Sequence, residues 1–318
     1  MSTVSEQQSW FEQHDAESAG DFLDYLSLSA SRWDGPPADE WVFRGQTDVM
    51  PLTPKAWRTQ HAPLIQRLAQ DCEREISRAA DKLEAQPPGS WNLGVQRPDR
   101  ERIETFVRQR AGEAEAVWQF CHRADLAGLS TLTWGFDQRE WGRIAAAHAD
   151  RGCFDPPDAA HGLAQHYGVP TRLLDWTHRR SVAAFFAAWE TQDRMPAERV
   201  SVSALNLRPV MERGNLINPL IVPRHDNAFL HAQDALFTVS NWAAVGWFIR
   251  HGQWPSLEDL LAEAGLGGPP ILRRVTLRRE LVGDLRMLLK RDRVTAETLM
   301  PSYRTVAEAL RAEWERLH

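Results

Sequence analysis

Apolar residues recur at helical spacing over several stretches of this chain, and cluster in short β-branched or aromatic runs over others. Phe22, Leu23, Leu26 and Leu28 gather on one face, so Phe11 to Trp33 is expected to be helical, with Gly35-Pro36-Pro37 breaking the pattern. Trp41-Val42-Phe43 is a strand signal ended by Gly45. Leu64, Ile65, Leu68 and Cys72 predict a helix over Pro63 to Ala85, and Gln86-Pro87-Pro88-Gly89-Ser90 reads as a loop. Ile103, Phe106, Val107, Val117, Trp118 and Cys121 predict a long helix over Arg100 to Ala124, and Glu140 to Ala149 is expected to form another. Asp155-Pro156-Pro157-Asp158 closes this block.

Further along, Ala159 to Tyr167 reads as a helix stopped by Gly168 and Pro170. Val182, Phe185, Phe186 and Trp189 recur at i, i+3, i+4 and i+7 and predict a helix over Ser181 to Trp189. Strands are expected at Val200 to Leu207, Ala235 to Val239 and Ile271 to Leu277, and a helical tail from Thr295 to Leu317. Strands and helices do not alternate regularly, which favours an α+β fold with a mixed or antiparallel sheet. Residues 1–40 read as an N-terminal helical segment and 41–318 as an α+β domain, with 62–150 as a helical insertion. No internal repeat is found.

Composition narrows the function classes. Of 318 residues, 43% are hydrophobic and 25% charged, the balance of a globular protein. The net charge of -6 lacks the basic surplus usual for phosphate-tracking nucleic-acid binders. Arg273, Arg274, Arg278 and Arg279, then Arg286, Lys290, Arg291 and Arg293, are interspersed with acids and read as a solvated face. Cys72, Cys121 and Cys153 are far apart, which favours a reducing compartment over a disulfide framework or a cysteine zinc site. No signal peptide or membrane span is legible, so the expected location is the cytoplasm. The 14 tryptophans are scattered and read mostly as packing residues, with one or two available to a nucleotide pocket.

Two segments carry candidate chemistry. Arg44 sits where a strand meets a glycine, and on that strand it shares a face with Val42 rather than with Trp41 and Phe43. There it either anchors the strand end in an ion pair or presents its planar fork to a phosphate or carboxylate. In Thr171-Arg172-Leu173-Leu174-Asp175-Trp176-Thr177, two leucines bury the segment and Arg172 and Asp175 are placed for ion pairs. Thr177 precedes a helix and reads as its cap or as a group that orients a ligand at the helix N-terminus. His166 is a general-base candidate or a hydrogen-bonded wall residue. His161 and His166 are five apart and do not share a helix face, so no metal site is expected. Gln233-Asp234 leads into the strand Ala235-Leu236-Phe237, where either polar residue could meet a ligand hydroxyl.

Phe43-Arg44-Gly45, the motif AQHYGVPTRLLDWTHRRSVAAFFAA (Ala164 to Ala188) and NAFLHAQDALFTV from Asn227 together resemble the FRG domain family. The last stretch has Phe229 and Ala235 where the family pattern leads one to expect arginine and glycine. More distantly, the order of motifs is similar to that of ADP-ribosyltransferases. These have an arginine ending a first strand, then a Ser/Thr-containing strand leading into a helix, then a strand that begins with an acidic residue. Here those would be Arg44, Thr177 and Asp234. That resemblance implies an ADP-ribosyltransferase-like fold and NAD as substrate, with ADP-ribose passed to a macromolecule or to water. Arg44, Gln46, His166, Tyr167, Arg172, Asp175, Trp176 and Gln233 would hold the nucleotide, with Tyr167 or Trp176 stacking on nicotinamide. It also implies a nucleotide-like ligand, a protein or nucleic-acid target or an antitoxin-like partner, and a toxin or phage-defence setting. Two other readings stay open: a nucleotide-sensing module without turnover, and a metal-independent ribonuclease built on His166, Arg172 and Asp175.

Overall fold

The structure, a computed structural model, describes residues 10–27, 33, 40–85, 98–131, 159–189, 197–214, 216–223 and 227–315. The helix expected at Glu140 to Ala149 and the turns at 35–37, 86–90 and 155–158 lie outside them.

The strands are β1 (Phe11–Ala16), β2 (Trp41–Gln46), β3 (Leu174–Thr177), β4 (Arg199–Asn206), β5 (Asn218–Leu220), β6 (Ala235–Val239) and β7 (Leu272–Arg278). They form a seven-stranded sheet in the order β1-β7-β4-β2-β3-β6-β5. β1 runs parallel to β7, and the other pairings are antiparallel. The fold is therefore α+β with a mixed sheet, as the irregular order of elements led us to expect.

Strand alternation builds the two cores. On β4, Val200, Val202 and Ala204 face one cluster with Trp41 and Phe43 of β2 and Val275 and Leu277 of β7. Val42, Leu205 and Leu272 face the other, with Leu174, Trp176 and Leu236. The intervening polar residues are buried but bonded: Ser201 Oγ donates to Asp48 O at 2.7 Å.

Helix α1 (Ala19–Tyr25) follows β1, and α2 (Ala62–Ala69), α3 (Glu73–Ala85) and α4 (Arg100–Leu126) make up the helical block. The helix expected over Pro63 to Ala85 is interrupted by a 3-10 turn at Gln70–Cys72. Gly112 lets α4 cross α2 closely, since a Cβ there would lie 2.2 Å from the Ile65 carbonyl oxygen. The block docks on helix α5 (Ala159–His166) through Val117, Cys121, Ala160 and Ala164. Helix α6 (Arg180–Ala187) follows β3, with α7 (Leu207–Glu212), α8 (Ala228–Gln233), α9 (Asn241–His251), α10 (Leu257–Ala264), α11 (Val282–Arg291), α12 (Ala296–Leu299) and α13 (Tyr303–Trp314) completing the order.

Three expectations change. Phe11–Ala16 is a strand, not part of a helix, although α1 behind it is helical. Its pairing partner lies 261 positions away, from Phe11 opposite Leu272 to Ala16 opposite Leu277, so no local pattern announces it. Arg273 and Arg274 are buried rather than solvated. Arg273 lies over the Trp33 and Trp41 rings beside Glu12, and Arg274 reaches Glu258 and Ser203. The helical tail divides at Pro301, which follows α12.

Candidate functional site

The chain folds Arg44 into a split in the sheet. β2 pairs with β4 along its length, from Trp41 opposite Asn206 to Gln46 opposite Ser201. With β3 it pairs at Phe43 opposite Thr177, and beyond that point the ladder does not continue. Arg44 reaches across this gap. Its Nη1 donates to the Asp175 main-chain carbonyl at 2.8 Å and lies 2.6 Å from Asp175 Oδ1. A guanidinium thus replaces the missing ladder bond and brings a charge pair to the mouth of the split. Arg44 Nε is buried without a hydrogen-bond partner.

The split opens into a cavity of about 650 Å³. Its described lining includes Arg44 from β2, Asp175 and Thr177 from β3, and His166 and Tyr167 at the end of α5. Gln233 and Ala235 on either side of the α8–β6 junction, Val182, Ala183 and Phe186 of α6, and Phe229, Lys55, Arg58, Met300 and Thr305 add to it.

Gly45 explains how α6 comes so close. A Cβ at Gly45 would sit 2.0 Å from the Ala183 carbonyl oxygen and 2.6 Å from the Ala187 nitrogen. The glycine after Arg44 is therefore demanded by the helix that crosses over it. The small residues of Ala183-Ala184 and Ala187-Ala188 are the matching surface, all buried in the same core.

The charge state of the pair follows from its setting. The Asp175 side chain is 52% exposed, but that surface looks into the cavity, whose walls surround it. Burial among those walls pushes its carboxyl up; the Arg44 guanidinium and the Gln165 amide outweigh this and hold it at about 2, below the ordinary 3.8. Gln165 Nε2 donates to Asp175 Oδ1 at 3.0 Å, and its own oxygen accepts from Thr171 at 2.8 Å. Asp175 is a fixed carboxylate. Burial lowers the His166 pKa from its ordinary value against the opposing pull of Asp175, so the imidazole is neutral at pH 7.

Thr177 serves structure first. Its hydroxyl donates to the Gln233 carbonyl at 2.6 Å and accepts from the Arg179 nitrogen at 3.0 Å, tying β3 to the end of α8 and to the start of α6. It lines the cavity with its proton already committed.

The third motif resolves differently from its first reading. Gln233 lines the cavity and donates to Leu299 O at 3.2 Å. Asp234 takes a left-handed conformation, φ 46, that ends α8, and it is not among the lining residues. Of the pair, Gln233 takes the third position beside Arg44 and Thr177.

Two further candidates lie elsewhere. Arg172 is buried against Glu113 of α4, at 3.8 Å, and is absent from the described lining, so it does not join His166 and Asp175 in the triad a ribonuclease reading needs. Gln46 is buried and bonds Met50 O at 3.2 Å, also outside the lining. The Trp176 ring packs in the core, its Nε1 donating to Thr238 Oγ1 at 2.8 Å, while the residue also contributes to the cavity lining, where Tyr167, Phe186 and Phe229 are further aromatic groups. Lys55 and Arg58 are cavity residues that the sequence did not flag; their signal, two basic residues flanking Trp57, is too common to single out. Among the described residues no cluster of His, Cys, Asp and Glu suits a metal ion, and no helix is long and apolar enough to cross a membrane.

Comparison with known proteins places one part of the chain. No curated protein and no solved structure matches. The segment Phe43-Arg44-Gly45 lies outside the one matching region. The family model of the FRG domain matches residues 97–195, so the resemblance first seen in Ala164 to Ala188 holds over the stretch that carries α4, α5, β3 and α6.

Proposed function

We propose that the cavity binds NAD and that the protein cleaves its nicotinamide glycosidic bond, passing ADP-ribose to a macromolecule or to water. One observation carries this reading: Arg44, Thr177 and the α8–β6 junction, far apart in sequence, line one cavity from three strands that are successive neighbours in the sheet. This is the order and proximity that the ADP-ribosyltransferase resemblance requires. The described lining also holds the cations Arg44, Lys55 and Arg58 against the single carboxylate Asp175, in a protein whose net charge is -6. That local inversion suits an anionic nucleotide.

In the cleavage the bond between ribose C1′ and the nicotinamide nitrogen breaks, and its electron pair leaves with nicotinamide, which becomes neutral. The ribose carries positive charge as in glycoside hydrolysis. Asp175, held ionised, stabilises that charge by preorganised electrostatics and takes no proton. A water or target nucleophile closes on C1′ and gives up its proton, for which neutral His166 is the available base. The carboxylate role thus falls to Asp175 rather than Asp234. Nicotinamide release from NAD tests this. The wild type should release it, and Arg44→Ala should slow release by about 100-fold or more. A silent wild type across protein and nucleic-acid targets would remove the enzymatic reading.

A second reading is favoured by one observation, the tie at 2.6 Å between Arg44 and Asp175, the one carboxylate in the described lining. Such a pair suits recognition without turnover, as in a nucleotide-sensing module. Calorimetric binding of NAD, with the NAD recovered intact, would support it.

A further inference from the structure

We infer that Gln165 and Thr171 are positioning residues: they fix the Asp175 carboxylate with Oδ1 tied back and Oδ2 left to accept a hydrogen bond from the bound ligand. The inference rests on the reading of Asp175 as the carboxylate that acts in the cavity, and names the groups that aim it.

The relay starts at a backbone N–H, which can only donate. Leu173 N donates to Thr171 Oγ1 at 3.2 Å. The single Thr171 hydroxyl proton is then directed the other way, to Gln165 Oε1 at 2.8 Å. An amide whose oxygen is engaged in this way turns its NH2 to the opposite side, and Gln165 Nε2 donates to Asp175 Oδ1 at 3.0 Å. Every proton in the relay therefore points toward Asp175. A reversed amide would set its NH2 against the Thr171 proton and its oxygen against a carboxylate. Thr171 is 0% exposed and Gln165 9%, so bulk water does not compete for these bonds.

Arg44 closes on the same oxygen, its Nη1 lying 2.6 Å from Asp175 Oδ1. The two described partners of the carboxylate thus share Oδ1, one from β2 and one from α5. Two donors from different elements set the rotation of the carboxylate, where one would leave it free to turn. Asp175 lines the cavity, so Oδ2 is the oxygen with which it meets a ligand. Helix α5 is itself held in place, because Ala160 and Ala164 pack on Val117 and Cys121 of α4. The helical block therefore aims Asp175 through Gln165.

Thr171→Val removes the hydroxyl at nearly constant volume, and Thr171→Ser keeps it. Gln165→Met keeps the length of the side chain, loses both bonds, and probes the relay from its other end. In 15N-resolved NMR spectra of the ligand-free protein, one Gln165 Nε2 proton should lie downfield of the other, held there by Asp175. Thr171→Val should collapse that difference and Thr171→Ser should keep it. In steady-state nicotinamide release from NAD, Thr171→Val and Gln165→Met should each lower kcat by about tenfold and shift KM far less. Thr171→Ser should restore most of the rate, and neither loss should persist in the Asp175→Asn background. A Gln165 signature unchanged by Thr171→Val overturns the positioning, as does kcat unchanged in both variants. A loss of kcat that Thr171→Ser does not restore, or that persists undiminished in the Asp175→Asn background, also overturns it. If the wild type releases no nicotinamide but shows the split amide signal that Thr171→Val collapses, the cleavage reading fails and the positioning stands. A wild type that shows neither overturns both.

Discussion

Replacing Gly45 by alanine is the smallest change that tests how the site is assembled. The added Cβ would fall 2.0 Å from the Ala183 carbonyl oxygen, where ordinary contact begins at 3.4 Å, so α6 would have to retreat by about 1.4 Å. The opposing atoms are backbone, and no rotamer change relieves them. Overpacking a core costs about 1–3 kcal/mol, and this clash belongs at the upper end, about 3 kcal/mol. With an unfolding entropy of about 2.1 cal/mol/K per residue over 318 residues, the melting temperature should fall by about 4 to 5 °C. The same retreat carries Val182, Ala183 and Phe186 away from the cavity, so ADP affinity should fall together with stability. Differential scanning calorimetry and ligand titration read the two effects, with Gly283→Ala as control, because its added Cβ meets open space. A Gly45→Ala protein with wild-type melting temperature and affinity would refute the close approach of α6 to β2.

Other consequences follow from the same geometry. Thr177→Val removes a buried hydroxyl that both donates to Gln233 O and accepts from Arg179 N, and should cost about 1–3 kcal/mol in denaturant titration, with Thr177→Ser recovering most of it. The Asp175 carboxyl is lowered from 3.8 to about 2 in the folded protein, so its contribution to stability is complete above 3.8 and lost as pH falls through about 2; the acid-unfolding curve of Asp175→Asn should be flatter than wild type across that window. His166 is lowered from its ordinary 6.5, so the base is available above a midpoint below 6.5; nicotinamide release should rise through that midpoint, and His166→Asn should abolish the rise.

What the sequence made legible was what local pattern encodes. The periodicity of Val182, Phe185 and Phe186 locates α6, and the β-branched runs locate β2, β4, β6 and β7. The motif from Ala164 to Thr177 supplies His166, Tyr167, Asp175 and Thr177 to one cavity. What it hid depends on partners distant in the chain. β1 exists because β7 offers it an edge, and Arg273 is buried because Trp33 and Trp41 lie beneath it. Arg172 resembles a ligand-binding arginine until Glu113, on a helix from the inserted block, is seen to claim it. Lys55 and Arg58 become site residues through bonds from α4 and from the loop before β3. Asp234 leaves the site through a single left-handed residue that closes α8.

The central claim is that the split between β2 and β3 holds a nucleotide diphosphate against Arg44. A crystal structure of the protein grown with saturating ADP-ribose tests it most directly. The account predicts the diphosphate in the cavity within hydrogen-bond reach of Arg44. An empty cavity, or a ligand bound elsewhere on the surface, would contradict it.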